Sequence, residues 1–355
     1  MALHDAAQQA WPPFVLVSGL LLIGVVAHAE GLFARAGAAL ERLPGPPGAL
    51  LAGGIMLVVL VTAVLNLDTA VVFLTPILVL AARARGVDEE PFLYASVYLA
   101  NASSLYLPGS NLTNLLVLAR DPIAGGTFAR QLLAPALAAT LATSLGLWLL
   151  FRARLRVAHD QGPAGATPGP GDGMLVSIVA IAAVAGLTIA LAHPALPVLA
   201  VGVVAAAIQL GRRRLGARAA LDAVGPAALI GLFAASVALG TLARAWDGPA
   251  QLLAGASRWE TAGIGAITAI AVNNLPATVL LSAHALPHPR ALLIGLNLGP
   301  NLAVSGSLSA YLWLRAARQV GAQPSIAAFS RRGILLAPLA IVAALLASAS
   351  IGPPA

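Results

Sequence analysis

The chain contains no cysteine and no lysine. Without cysteine there is no disulfide, no thiolate metal ligand and no redox pair. Charge is scarce as well: 9% of the 355 residues are Asp, Glu, Lys or Arg, against about a quarter in a soluble domain. No HExxH, nucleophile elbow or Walker loop is present, so neither a hydrolase nor an ATPase is expected in the chain itself, and no cofactor or metal site. His193, His284 and His288 have no metal-ligand spacing. The opening "MALHDAAQQAWPP" has no basic n-region, so no cleaved signal peptide is expected.

What is abundant is apolar. Residues of the AVILMFWYC set make up 59% of the chain, and mean hydropathy is +0.90. A membrane helix needs roughly 20 such residues. The runs are long and do not alternate with period two, which argues against a barrel. The chain is therefore read as an all-α integral membrane protein. Its apolar segments are 13–33, 49–82, 91–119, 131–151, 174–192, 195–211, 223–244, 250–286, 291–314 and 333–351. The stretch 152–173, rich in Arg, Gly and Pro, reads as a flexible surface linker.

Two segments, 49–82 and 250–286, are too long for one straight helix and carry polar centres. The first centre is Asn66-Leu67-Asp68-Thr69, with Pro76 further on, and the second is Asn273-Asn274-Leu275-Pro276, with Thr278 beyond. Each is followed by a segment interrupted by small polar residues, Pro108-Gly109-Ser110-Asn111 and Ser305-Gly306-Ser307. The chain thus divides into a first repeat over 1–151, a linker and two-helix connector over 152–222, and a second repeat over 223–355. Paired interrupted segments in matching halves point to a transporter's binding site. If 49–82 and 250–286 are re-entrant hairpins, the loops around 34–48, 83–90, 152–173, 212–222 and 315–332 share one side with fifteen arginines. Five arginines (Arg120, Arg130, Arg244, Arg258 and Arg290) face the other. That bias follows the positive-inside rule and makes the repeats inverted. The high isoelectric point then reflects topology, not nucleic-acid binding.

Unwound chain at membrane depth survives only inside protein or beside a wet cavity. The candidate binding residues are accordingly Asn66, Asp68, Thr69, Ser110, Asn111, Asn273, Asn274, Thr278, Gly306 and Ser307. They would offer helix N-termini, amides and hydroxyls to a small polar solute or oxyanion. The alternative is that these side chains only join helices to one another. Asp68 is the candidate for proton coupling, because a carboxyl kept from water is readily held neutral and can cycle a proton. The alternative for Asp68 is a cap on the second hairpin arm. Glu30 and His28 are expected at the membrane interface.

The stretches "NLDTAVVFLTPI", "ANASSLYLPGSNLTNLLVLA", "VNNLPATVLLSAHAL" and "LNLGPNLAVSGSLSAYLWLRAA" resemble the bacterial arsenite/antimonite permease family. That family belongs to the ion transporter superfamily, with the divalent anion/sodium symporters. The resemblance implies two inverted repeats, discontinuous helices, elevator-like alternating access, often a homodimer, and multi-pass placement in the bacterial inner membrane. It implies export of trivalent arsenic or antimony in exchange for protons, in some members with a separate cytosolic ATPase partner. A sodium- or proton-coupled carboxylate or inorganic anion carrier is the alternative within the superfamily; a non-transport membrane protein is the remote one. Where the permeases typically carry Asp and Lys around the last "LGP", this chain has Asn297 and Asn301; where they commonly carry Asp before the first unwound stretch, it has Asn101.

Overall fold

The structure, a computed structural model, describes residues 2–156 and 174–349. The expected linker therefore lies outside the described residues from 157 to 173. Every regular element among the described residues is helical. The chain opens with α1 (Ala2–Ala29) and α2 (Leu32–Glu41). A helical hairpin follows, α3 (Pro47–Val64) and α4 (Leu67–Ala84). Next come α5 (Glu90–Ser103) and α6 (Leu112–Leu118), two halves of one path broken around a 3-10 turn at Pro108–Ser110, and then α7 (Gly125–Phe151). Three connecting helices are α8 (Leu175–Ala190), α9 (Ala195–Gly211) and α10 (Ala217–Val224).

The same succession of elements then returns. α11 (Pro226–Ala245) is a long helix, α12 (Gly248–Ala254) a short one, and α13 (Arg258–Val272) with α14 (Asn274–Leu281) a hairpin. α15 (Pro289–Leu298) and α16 (Leu308–Gln319) flank two 3-10 turns, and α17 (Ile326–Ala349) closes the order. Among the described residues, six runs are long and apolar enough to cross a membrane: α1, α3, α4, α7, the run from α10 through α11, and α17.

Several boundaries differ from the sequence reading, each for a local reason. The first span begins at Ala2 instead of residue 13. The loop expected over 34–48 contains α2, whose Phe33, Gly37 and Leu40 recur on one helical face and are buried. The second hairpin is shorter than 250–286. Ser257 and Glu260 cap each other across the start of α13, which splits α12 from the hairpin. Pro76 does not break α4. The break lies ten residues earlier, where Asn66 turns extended and its side chain accepts the Thr69 N–H at 2.7 Å.

Glu30, expected to reach the surface at the end of its span, is instead enclosed by protein. It is 7% exposed, and it accepts hydrogen bonds from Gln209 Nε2 at 2.5 Å and from the Ser177 backbone N–H at 2.8 Å. A carboxylate at the start of α8 complements that helix's dipole, so Glu30 ties the ends of α1, α8 and α9 together. His28 instead stacks on Phe73, 4.8 Å between ring centroids.

One end of the bundle is held by arginines. Arg85 donates to the carbonyls of Glu41, Leu43 and Gly45, closing the base of the α3–α4 hairpin. Arg154 pairs with Asp88 at 2.9 Å and with Glu90 at 2.5 Å, and Arg332 joins Glu90 at 2.5 Å. The Asp88 hydrogen bond raises Arg154 above the ordinary arginine value. Arg332 also lies over the rings of Tyr94 and Phe151, at 4.2 and 4.8 Å. Beneath it Tyr98 donates to the Phe329 carbonyl at 2.5 Å, and Trp313 donates to that of Leu93 at 2.8 Å. These contacts fasten α5 to α16 and α17.

The second hairpin is fastened by close backbone approach. A Cβ added at Gly295 of α15 would stand 2.1 Å from the Ala262 carbonyl oxygen of α13, and one at Gly299 2.5 Å from the Ala266 Cα. Small residues four apart on each helix permit that spacing. Gly295→Leu is therefore expected to cost about 1–3 kcal/mol or more by overpacking. Gly186→Leu, at a position with nothing within 4 Å, is the control. Thermal unfolding in detergent should show a fall for the first and not for the second; equal melting temperatures would contradict the packing described.

Candidate functional site

Each of the four polar centres ends as a capped helix start. Asn66 caps α4, Asn111 caps α6 through the Thr113 N–H at 3.1 Å, Asn273 caps α14 through Leu275 N–H at 3.3 Å, and Ser307 caps α16 through Ala310 N–H at 3.2 Å. Caps of this type satisfy backbone donors that the break leaves without partners. A second set of bonds locks each hairpin tip to its broken helix. Ser110 Oγ donates to the Ala63 carbonyl at 3.0 Å, and Ser305 Oγ donates to that of Ile270 at 3.1 Å, each acceptor lying three residues before the hairpin cap. Asn273 Nδ2 adds a bond to the Ser305 carbonyl at 3.2 Å.

The starts of all four helices border one cavity of about 460 Å³. Leu67, Asp68 and Thr69 come from α4, Asn111 and Leu112 from the start of α6, Asn274 and Leu275 from α14, and Leu308 and Ser309 from α16. α1 and α11 supply an apolar wall, Val17, Leu21 and Val25 facing Ala228, Leu229 and Leu232. Asp222, Arg315 and Gln319 stand at the end nearest the C-terminus of α16. Helix starts present N–H groups and positive dipole ends. The cavity's deep wall therefore offers donors, hydroxyls and amides, with one half-buried carboxylate, Asp68. That carboxylate accepts a 2.8 Å hydrogen bond from Ser309 Oγ, which joins the first hairpin to the second broken helix. Asp68 does not cap α4; Asn66 does.

The ten residues singled out from sequence divide by position. Asp68, Thr69, Asn111 and Asn274 line the central cavity. Asn273 and Ser307 line a neighbouring cavity, also about 460 Å³, separated from the first by Leu232, Leu275 and Leu308, which border both. Asn66, Ser110, Gly306 and Thr278 stand behind the walls. Thr278 Oγ1 is used up on the Asn274 carbonyl of its own helix at 2.6 Å. At Gly306 a Cβ would come within 2.7 Å of the Pro300 Cα, so no side chain fits there. Asn273 has φ 75° and ψ 151°, a conformation almost reserved for glycine. It is held there by its cap and by the Ser305 bond.

Behind the central cavity lies a buried amide network that the sequence reading had not assembled. Asn297 Oδ1 accepts from Ser104 Oγ and Asn111 Nδ2, both at 2.6 Å, and Asn297 Nδ2 donates to Asn114 Oδ1 and the Leu293 carbonyl, both at 2.8 Å. Asn101 Nδ2 donates to Asn301 Oδ1 at 2.8 Å, and Asn301 Nδ2 to the Tyr98 carbonyl at 3.1 Å. The two broken helices are thus joined through uncharged side chains. Ser309 could have been found from spacing, since it stands two residues after the cap Ser307 as Asp68 stands two after Asn66. Asn114 and Ser104 carried no such signal.

A helical chain with several membrane-length spans, whose broken helices and hairpins converge on a cavity with one polar wall, is a membrane transporter. The chain belongs to the citrate transporter family, whose model matches residues 5–304. It is 26% identical, over 92% of its length and 83% of theirs, to proteins named arsenical pump membrane protein from Escherichia coli K12 and Shigella flexneri. A protein of the same name from Yersinia enterocolitica matches to the same extent. In fold it is similar to the Alcanivorax borkumensis YdaH transporter, whose crystal structure is described as revealing an unusual topology. The TM-score is 0.64 at 16% identity, covering 99% of this chain and 88% of that one.

Asn297→Leu removes the hub of the amide network at nearly constant volume. Each buried donor left unpaired is expected to cost about 1–3 kcal/mol. The variant should melt well below the unaltered protein in detergent, and an unchanged melting temperature would show that the network contributes nothing to stability.

Proposed function

We propose that the protein is a secondary active transporter of two inverted repeats in a bacterial inner membrane. It carries trivalent arsenic or antimony outward in exchange for protons, with Asp68 as the proton carrier. The observation that carries this reading is the convergence of four helix starts on one cavity around a single deep carboxylate. Support for the opposed hairpins comes from their bases. That of α3–α4 is tied to the arginine-rich end through Arg85, and the last residues after α14 lie beside Arg120, an arginine of the sparse side. The cavity's lining includes the exposed Arg315 and Gln319, which by the positive-inside rule puts that end on the cytoplasmic side.

Trivalent arsenic near neutral pH is mostly an uncharged trihydroxide. Amides, hydroxyls and backbone N–H groups can hold such a solute without a fixed cation. Asp68 at the same wall disfavours a multiply charged anion unless a proton or metal cation accompanies it. A second reading, a cation-coupled carriage of a carboxylate anion, is favoured by Arg315 at the cavity mouth and by the name of the family. Everted vesicles with an imposed pH gradient separate the two. Accumulation of arsenite is expected; sodium-dependent uptake of citrate or succinate with no arsenite movement would overturn the leading reading.

The role of Asp68 has its own test. Asp68→Asn keeps the volume and a hydrogen-bonding group for Ser309, so folding is expected to survive. Gradient-driven transport should fall to background while solute binding persists, and transport at the unaltered rate would remove Asp68 from the coupling step.

A further inference from the structure

The four helices that diverge around the central cavity come back together at their other ends. α1, α6, α11 and α14 supply Leu21, Asn111, Leu229 and Asn274 to the cavity. Further along the same helices, Gln9, Leu116, Gly240, Arg244, Val279 and Ser282 surround a remnant space of only about 10 Å³, room for one water at most. Leu116 lies five residues beyond Asn111, about 7–8 Å along the chain's helical path. The narrow remnant thus lies beyond the wide cavity along the same four helices.

Polar side chains close the narrow level. Arg244 Nη1 donates to the Gly240 carbonyl of its own helix at 2.8 Å, and Nη2 donates to Gln9 Oε1 of α1. Gln9 Nε2 then donates to the Leu116 carbonyl of α6 at 3.3 Å. His284, just after α14, bonds the Ala243 carbonyl of α11 at 2.9 Å, and Arg120, just after α6, donates to the Ala283 carbonyl at 2.7 Å. Every one of the four helices is held by at least one of these bonds.

We infer that Arg244 and Gln9 form the outer gate of the transport passage. Their bonds hold the inward-open state, and they must part for the cavity to face the other side. The inference rests on the reading that access to the cavity alternates. Arg244 and Gln9 are positioning residues: neither lines the central cavity, and their effect is on which state is populated. Removing one or two such bonds shifts a two-state population toward the outward-open form.

The absence of cysteine permits a direct test. Ser282 is 2% exposed and borders the remnant space. In Ser282→Cys, a membrane-impermeant maleimide applied from outside right-side-out vesicles should react slowly. Adding Arg244→Gln, or separately Gln9→Leu, should speed that reaction about tenfold. Thr261→Cys, 2% exposed in the first turn of α13 beside Arg258 and so on the side the reagent reaches, reports unfolding and should stay unreactive in each background. An unchanged Ser282→Cys rate in both backgrounds would overturn the gate. So would a parallel rise at Thr261→Cys, which would mean general destabilisation. Because the readout needs no transported solute, failure to move arsenite or citrate counts against the solute assignment and leaves this result standing.

Discussion

A backbone N–H or C=O opened inside hydrocarbon must find a partner, and that requirement governs the architecture of this protein. Four times the helical path stops inside the bundle. Each time a short side chain at the stop, Asn66, Asn111, Asn273 or Ser307, accepts a bond from the first turn of the helix that follows. Ser110 and Ser305 then tie each hairpin tip to the break beside it. Once the breaks are paid for locally, the remaining N-terminal turns are available to a solute. The cavity is thus a by-product of satisfying the chain: capping fixes where helices begin, and helix beginnings supply the donors.

The second consequence is that the two halves are joined at their centre by amides and hydroxyls, with a single carboxyl among them. Asn297 and Asn301 of one broken helix meet Asn101, Ser104, Asn111 and Asn114 of the other, and Asp68 meets Ser309. Amides are both donor and acceptor, so a small cluster of them can be closed without a counter-ion. Asp68 apart, the ion pairs and arginine bonds described stand at the ends of the bundle, in the Arg154–Glu90–Arg332 group at one and the Arg244–Gln9 bond at the other. That division suits a chain with so few ionisable residues: a buried network of charges would carry a desolvation cost that the amides avoid.

The breaks were legible because Asn, Asp, Ser and Gly stand out against long apolar runs, and their pairing in two halves pointed to a transporter. Which of those residues would line the cavity was not legible. Asn66, Ser110 and Thr278 are polar like Asn111 and Asn274, yet Asn66 caps its own helix, Ser110 Oγ donates to the Ala63 carbonyl of α3 and Thr278 Oγ1 to the Asn274 carbonyl of its own helix. Glu30 read as interfacial because it ends an apolar span. It is buried because α8 and α9, more than 140 residues later, bring Ser177 and Gln209 to it. Asn101, Asn297 and Asn301 were visible only as departures from a resemblance, since nothing local says that residues 200 apart will bond. Helix α2 was missed because a loop was expected between two spans, although its own apolar spacing encodes it.

The central claim is that one wall, built from four helix starts, faces a passage open to the arginine-rich side. Single cysteines at Thr69, Asn111, Asn274 and Ser309, probed with an impermeant maleimide from that side in everted vesicles, test it most directly. All four should react, and cysteines at Ser110 and Thr278, behind the wall, should not. Equal reactivity of the two sets, or no reaction at the four lining positions, would contradict the account.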